Sequence, residues 1–172
     1  HGLNVSPESN EDNVLIEVHP GERFEHEIHI PKDHPTGTFW YHPHKHGSAS
    51  LHMSSGMAGF LLITGEGALE EIPEIAEAKD VLFMIQEMVL NEQNEVPNDP
   101  EAAMAELTSN PLITINGLAA NDYVFVGEHV SSVVPPEIHL RPGEVQRWRL
   151  CQANILQILN LQLEEHQLHI VA

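Results

Sequence analysis

The sequence predicts an all-β fold that consists of two β-sandwiches in tandem. Short apolar or alternating segments are separated by turn-forming residues, which is typical of strands joined by tight connections. In addition, the pattern I-x-V-x-P-G-E at 16–22 recurs as I-x-L-x-P-G-E at 138–144. The two copies lie 122 positions apart, a spacing that suits one sandwich domain of about 100 residues. We therefore expect two similar units along the chain.

The predicted organisation has three parts. The first domain covers 1–66, an acidic connector covers 67–79, and the second domain covers 80–172. The connector contains Pro73 and lacks strand alternation, so it is interpreted as an interdomain linker or a loop with a helical turn.

The first domain contains four predicted strands. Residues 14–18 form an apolar alternating run, and a Pro-Gly turn separates it from 24–30, where alternate residues share one face. The third strand, 38–42, ends at Pro43, which lacks a backbone donor. A passage of small residues then leads into the buried strand 60–63.

The second domain begins with a long apolar run at 81–90, which predicts its first strand. A short helix is expected from Asp99 to about Leu107, because an N-cap residue is followed by proline at the first helical position. Further strands are predicted at 112–115, which precedes an Asn-Gly turn, and at 138–140 and 145–150, which flank a Pro-Gly turn.

Composition excludes several functions. The formal net charge is −19, from 7 Lys+Arg and 26 Asp+Glu, which argues against binding to nucleic acid or anionic membranes. A negative field attracts cations, although simple solubility explains it equally well. No segment has the length of a membrane span. Cys151 is the only cysteine, so no intramolecular disulfide is expected, and its alternation with Arg147 and Arg149 predicts an ordinary strand residue.

Three histidines at every second position form the most informative motif. His42, His44 and His46 follow directly after the aromatic residues Trp40 and Tyr41. A strand sends alternate side chains to the same face, so His42 and His44 are expected to point the same way from a rigid support. Neutral imidazole is a good ligand for copper, zinc, nickel and iron. We therefore predict a metal site, with His46 as a weaker candidate because Gly47 turns the chain away.

Other candidate residues have simpler interpretations. A soft Cu(I) site at His52, Met53 and Met57 is a weaker hypothesis, because methionine near a core is usually packing. Glu22 and Glu144 follow the repeated Pro-Gly turns, which indicates turn chemistry. The remaining histidines are interpreted as surface residues in the first domain (His19, His26, His29, His34) and as structural or solvated residues in the second (His129, His139, His166, His169).

Nearly the whole chain resembles the multicopper oxidases, the laccase-like family that is built of cupredoxin sandwiches. The stretches 37–44 (GTFWYHPH) and 56–63 (GMAGFLLI) resemble the family's first-domain motif. The opening His1-Gly2-Leu3 resembles the end of its His-x-His-Gly-Leu motif, and 138–150 with 159–172 resembles the second domain of three-domain bacterial members. The resemblance implies cupredoxin-like Greek-key sandwiches, both incomplete in this chain.

The resemblance also implies metal ligands. In the family, the matching histidines bind the paired type 3 coppers, which here are His1, His42 and His44. The histidine that binds type 2 copper would precede His1. A cysteine flanked by histidines, which the family needs for type 1 copper, is missing from the chain. The chain lacks an initiator methionine and a signal peptide, so we expect its true start to be missing and either further sequence or a homo-oligomer partner to complete the fold.

The function implied is that of part of a copper-dependent oxidase. Such an enzyme couples one-electron oxidation of a small reducing substrate, such as a phenol, an aromatic amine or a metal ion, to reduction of dioxygen to water. The isolated fragment is expected to be inactive, and a periplasmic or secreted location is expected from the family. A non-catalytic copper-binding or copper-tolerance module is the alternative. A cupredoxin-like protein that has lost its metal and a two-domain laccase are less favoured.

Overall fold

The structure is a computed structural model in which strands predominate. It describes residues 1–65, 67, 71–93, 95–109, 111–120, 123–126, 129–132, 137–156 and 158–171. Within these ranges there are eight strands and three short helices, so the all-β prediction is confirmed. None of the described helices is both long enough and apolar enough to cross a bilayer. The elements of the first part are β1 Gly37–Tyr41, α1 Ala49–Ser54 and β2 Gly59–Ile63.

The hairpin of β1 and β2 supports the histidine motif. The two strands are antiparallel, with Trp40 opposite Phe60 and Tyr41 opposite Gly59. The ring of Tyr41 covers Gly59, where an added Cβ would lie 2.5 Å from the phenol oxygen. Both strands were predicted, whereas the helix α1 between them was not. The absence of a side chain at position 59 therefore leaves room for the ring of Tyr41, the last residue of β1.

The second part is organised around one long strand. Its elements are α2 Pro73–Ala76, β3 Lys79–Met88, α3 Pro100–Ser109, β4 Leu112–Ile115, β5 Leu118–Ala119, β6 Tyr123–Val126, β7 His129–Ser132 and β8 Gln146–Gln152. One sheet has the order β5-β4-β3-β8, in which β3 and β8 are parallel, and β6 pairs with β7. β3 is buried from Phe83 to Glu87, so it forms the centre of the sheet.

Local rules correctly located α3 and the turn after β4. The carboxylate of Asp99 accepts hydrogen bonds from the backbone nitrogens of Glu101 and Ala102, at 3.3 and 2.9 Å, as an N-cap does. Asn116 and Gly117 have φ angles of 52° and 78°, the left-handed conformation that Asn-Gly turns adopt between antiparallel strands.

α2 confirms a helical turn within the connector, whose residues 68–70 lie outside the described residues. The domain boundaries stay a prediction.

Three predicted strands are wrong. Residues 14–18, 24–30 and 138–140, all within the described ranges, form turns and irregular segments. Their apolar side chains are largely exposed; Leu15, for example, is 87% exposed. A strand needs a neighbour for its backbone groups. Instead of a ladder they make isolated bonds, such as those from the Ile16 nitrogen to the Asn13 carbonyl and from the Glu27 nitrogen to the Asn10 carbonyl.

The repeated Pro-Gly motif is a repeated turn. The nitrogen of Glu22 donates to the His19 carbonyl, and the Glu22 carboxylate accepts from the His19 nitrogen at 3.1 Å. Glu144 makes the same two bonds with Arg141, the second at 3.2 Å. The pKa of Glu144 is lowered, first by its hydrogen bond from Gln146 and then by the Arg141 nitrogen. The prediction that these glutamates serve turn chemistry is confirmed.

β1 packs against the second sheet. The buried side chains of Met84, Cys151 and Ala153 form a cluster, and three partly buried side chains pack against it: Trp40, Ala58 and Phe60. In addition, Arg149 Nη1 donates to Thr38 Oγ1 at 2.8 Å, which joins β8 to β1. The support of the histidine motif is therefore shared by both parts of the chain.

Asp80 organises the two arginines of β8, and its replacement by asparagine should weaken the fold. Arg147 contacts both carboxylate oxygens, at 2.5 and 3.0 Å, and Arg149 Nε lies 3.2 Å from Oδ2. The hydrogen bond from Arg147 is the largest cause of the lowered pKa of Asp80. Asp80→Asn should lower the free energy of unfolding by about 1 kcal/mol at pH 7, since the partly exposed pair is screened by solvent.

The pH dependence of this effect has a definite sign. The pKa of Asp80 is lower in the folded protein than in the unfolded chain. The contribution of Asp80 to the free energy of unfolding is therefore complete above the unfolded-state pKa of about 3.9, and it is lost as the pH falls through the folded-state pKa. Urea unfolding of both proteins between pH 7 and pH 3 should therefore give converging stabilities at the acidic end. A constant difference, or an equal loss in the exposed variant Glu74→Gln, would contradict this account.

Candidate metal centre

β1 ends one residue before the first histidine of the motif. Trp40 lies in the strand, whereas His42 and His44 lie in the irregular segment that follows Tyr41. The alternation nevertheless continues: the rings of Trp40 and His42 stack with centroids 4.7 Å apart, and those of His42 and His44 are 5.5 Å apart. The expected placement of both imidazoles on one side is confirmed.

His1 joins this group from a distant part of the sequence. Its ring stacks on Trp40 and lies edge to edge and nearly coplanar with that of His42, with a centroid distance of 4.7 Å in each case. Its backbone nitrogen donates to the Trp40 carbonyl, and its Nε2 lies 2.5 Å from Nε2 of His42. The structure therefore brings His1 and His42 into contact and places His44 next to His42.

Hydrogen bonds define the tautomer of His42. Its Nδ1 lies 2.9 Å from the Pro43 carbonyl oxygen, which can only accept, so Nδ1 bears the hydrogen. Neutral His42 then has its lone pair on Nε2, the atom that faces His1. Two lone pairs cannot share this contact, so His1 Nε2 is the donor when no metal is bound. A carbonyl that orients a ligand's second nitrogen is a usual feature of histidine metal sites.

The imidazole nitrogens are suitable copper ligands, although the rings of His1, His42 and His44 do not surround one point. Imidazole nitrogen is a favoured copper ligand, and Nε2 of His42 is available in its neutral form. Among the described residues, however, no group of three or more histidine, cysteine or acidic side chains has the arrangement of a metal site. His1 and His42 form the converging pair, and the exposed ring of His44 lies beside it.

An ion pair contacts the loop that follows His44. Lys45 Nζ lies 2.6 Å from Glu17 Oε1, which connects the loop with the irregular segment 13–18. The hydrogen bond from Lys45, followed by its charge, lowers the pKa of Glu17. His46 is exposed in the turn that leads into α1, and its ligand role stays a prediction.

The other candidates are separate from this group. Met53 is 8% exposed and Met57 is 51% exposed, so these two sulfur side chains have different environments, and the soft Cu(I) site stays a prediction. Cys151 is buried in β8, as expected, and burial raises the pKa of its thiol. The prediction of solvated residues is confirmed for the exposed histidines His19, His26, His29, His139, His166 and His169, while the side chain of His129 lies outside the described residues.

His34 was wrongly predicted to be a surface residue. It is 8% exposed, and it bonds to the backbone of Asn4 and of Pro35. The available signal was its position between Pro31 and Pro35, directly before an aromatic strand, where a rigid turn holds the ring against the fold.

An all-β chain with imidazoles gathered at the end of a strand has the features of histidine-ligated β-metalloproteins. Comparison with known families makes the assignment specific: residues 1–67 match one model described as multicopper oxidase, and residues 79–172 match a second model with the same description. The chain belongs to the multicopper oxidase family. The candidate ligands all lie in the first matched segment.

A curated relative agrees with this assignment. The chain is 26% identical to the multicopper oxidase aurL2 of Gibberella zeae over 86% of its own length. The aligned region is 23% of the length of that relative, so the chain spans less than a quarter of it.

Proposed function

We propose that this chain provides type 3 copper ligands for a copper-dependent oxidase. The observation that supports the proposal is the contact between His1 and His42, whose Nε2 atoms are 2.5 Å apart although the residues are 41 positions apart in the sequence. His44 is the third proposed ligand. Family membership supports copper as the metal.

The roles of the protein residues follow from their contacts. The Pro43 carbonyl holds His42 with Nε2 as the acceptor atom, and Trp40 supports the rings of His1 and His42 from one side. Copper, when bound, supplies the one-electron redox chemistry that dioxygen reduction requires. His1 and His44 are exposed, so dioxygen has access to the ligands.

The proposed reaction of the whole protein is oxidation of a small reducing substrate coupled to reduction of dioxygen to water. Phenols, aromatic amines and low-valent metal ions are the substrate classes, and a periplasmic or secreted location is part of the proposal. Cys151 is not among the proposed ligands, because its side chain packs in the apolar cluster with Met84 and Ala153. A non-catalytic copper-binding module is the second candidate, because the same three histidines would serve as its ligands.

Copper counting combined with a turnover assay tests the proposal. The 172-residue chain, freed of metal and titrated with Cu(I) under argon, should bind copper weakly and should not oxidise a phenolic dye in air. Absence of bound copper would contradict the ligand role. Robust dye oxidation would contradict the proposal that this chain provides only part of the copper ligands, because oxidation by the chain alone would require subunits to assemble a complete centre.

The full-length gene product separates the two candidate functions. Type 1 absorption together with turnover supports the oxidase. Bound copper without either signal supports the copper-binding module and overturns the oxidase proposal.

A further inference from the structure

His34 is a buried histidine that the proposed ligand set does not include. Its side chain lies before β1, and its ring packs edge-on against Phe39 with centroids 5.2 Å apart and an interplanar angle of 77°. With 8% exposure it differs from the exposed histidines of the same region. A buried imidazole is stable only when its polar atoms have partners.

Both ring nitrogens of His34 have backbone partners. Nδ1 lies 2.8 Å from the Pro35 carbonyl oxygen, which can only accept, so Nδ1 is the donor. Nε2 accepts the backbone N–H of Asn4 at 2.9 Å. These two bonds require one tautomer and orient the ring, since the donor and acceptor cannot exchange.

The bond to Asn4 fixes the segment that begins with His1. This segment is attached at two points: the His1 nitrogen bonds to the Trp40 carbonyl, and the Asn4 nitrogen bonds to His34. Between these points Gly2 has a φ of 85°, and a Cβ at this position would lie 3.0 Å from the Phe39 ring. Phe39 thus touches His34 and leaves little space beside Gly2.

We propose that His34 is a positioning residue for the metal centre: through Asn4 it holds the backbone that presents the His1 imidazole to His42. This inference rests on the proposed function for its consequence in copper binding. The hydrogen bond itself is independent of any metal. Residues that orient a ligand typically change metal affinity by about 10–100-fold when they are lost.

Two substitutions at His34 separate the hydrogen bond from the bulk of the ring. His34→Leu fills space but accepts no hydrogen bond, whereas His34→Gln places an amide oxygen near the position of Nε2. In the metal-free chain, amide hydrogen exchange at Asn4 should become at least about tenfold faster in His34→Leu and should largely recover in His34→Gln, because protection follows the bond. Exchange in β3 and β4 should not change. The matched control is His166→Gln, at an exposed histidine.

Copper affinity gives the second measurement. A Cu(I) competition titration should show about 10–100-fold weaker binding for His34→Leu and a value near that of the unaltered chain for His34→Gln. If His34→Leu does not fold, Asn4→Pro removes the donor of the same bond and should weaken copper binding to a similar extent. Where His34→Leu folds, combining it with Asn4→Pro should add little, since both remove one interaction.

The outcomes distinguish the two proposals. Unchanged exchange at Asn4 in His34→Leu, or unchanged copper affinity in both His34→Leu and Asn4→Pro, overturns the positioning role while the proposed function stands. An unaltered chain that binds no copper overturns the proposed function, and hydrogen exchange then still decides whether His34 holds Asn4.

Discussion

Replacement of His42 by phenylalanine is expected to weaken copper binding severely. Phenylalanine keeps an aromatic ring for the stack with Trp40 but removes both nitrogens, including the Nε2 that faces His1. His42 is the imidazole that contacts both His1 and His44. Its loss leaves these two rings without the ligand that connects them. We expect more than about 100-fold weaker binding, beyond the range found when only an orienting partner is lost.

A Cu(I) competition titration with unfolding controls measures this effect. His166→Phe is the matched substitution, because His166 is exposed and its Nδ1 bonds only locally, to the Glu164 carbonyl at 2.8 Å. The control should bind copper as the unaltered chain does. Retention of full affinity by His42→Phe, with His166→Phe unchanged, would remove His42 from the ligand set.

Replacement of Glu87 by leucine is expected to cause the largest loss of stability. Glu87 is 0% exposed near the C-terminal end of β3, and its carboxylate accepts hydrogen bonds from the nitrogens of Ile155 and Leu156 at 3.1 and 3.2 Å. Leucine fills similar space but leaves both donors without this acceptor. The free energy of unfolding should fall by about 3 kcal/mol, because buried unsatisfied donors each cost about 1–3 kcal/mol.

Glutamine at this position is the matched comparison. Glu87→Gln retains one amide oxygen as acceptor, so its loss should be about 1 kcal/mol, the ordinary net worth of a hydrogen bond. Urea unfolding followed by far-UV circular dichroism measures both variants. Equal losses for leucine and glutamine would show that packing, and not hydrogen bonding to residues 155–156, determines the effect.

Local sequence rules predicted the elements that depend on local interactions. The N-cap of α3 and the Asn116-Gly117 turn follow from residues within four positions of one another. The two strands of the β1–β2 hairpin were predicted from an aromatic run and an apolar run, whereas their pairing was not predicted. Even the shared side of His42 and His44 is local, because the two residues are only two positions apart.

Long-range pairing was not available from the sequence. Alternation in 24–30 specifies two faces but not a neighbouring strand, and no strand pairs with this segment in the described structure. The parallel pairing of β3 with β8 joins residues more than 60 positions apart, such as Val81 and Trp148. Likewise, the burial of His34 depends on Asn4, a residue 30 positions away.

The separation of 41 residues between His1 and His42 has a consequence for the order of assembly. During synthesis, His42 and His44 are adjacent from the start, whereas His1 reaches them only after the intervening loop has closed at an entropic cost that grows with its length. An ion that reached the proposed ligands before this closure would therefore meet two imidazoles. The complete set of proposed ligands assembles last, as a product of folding and not as its nucleus.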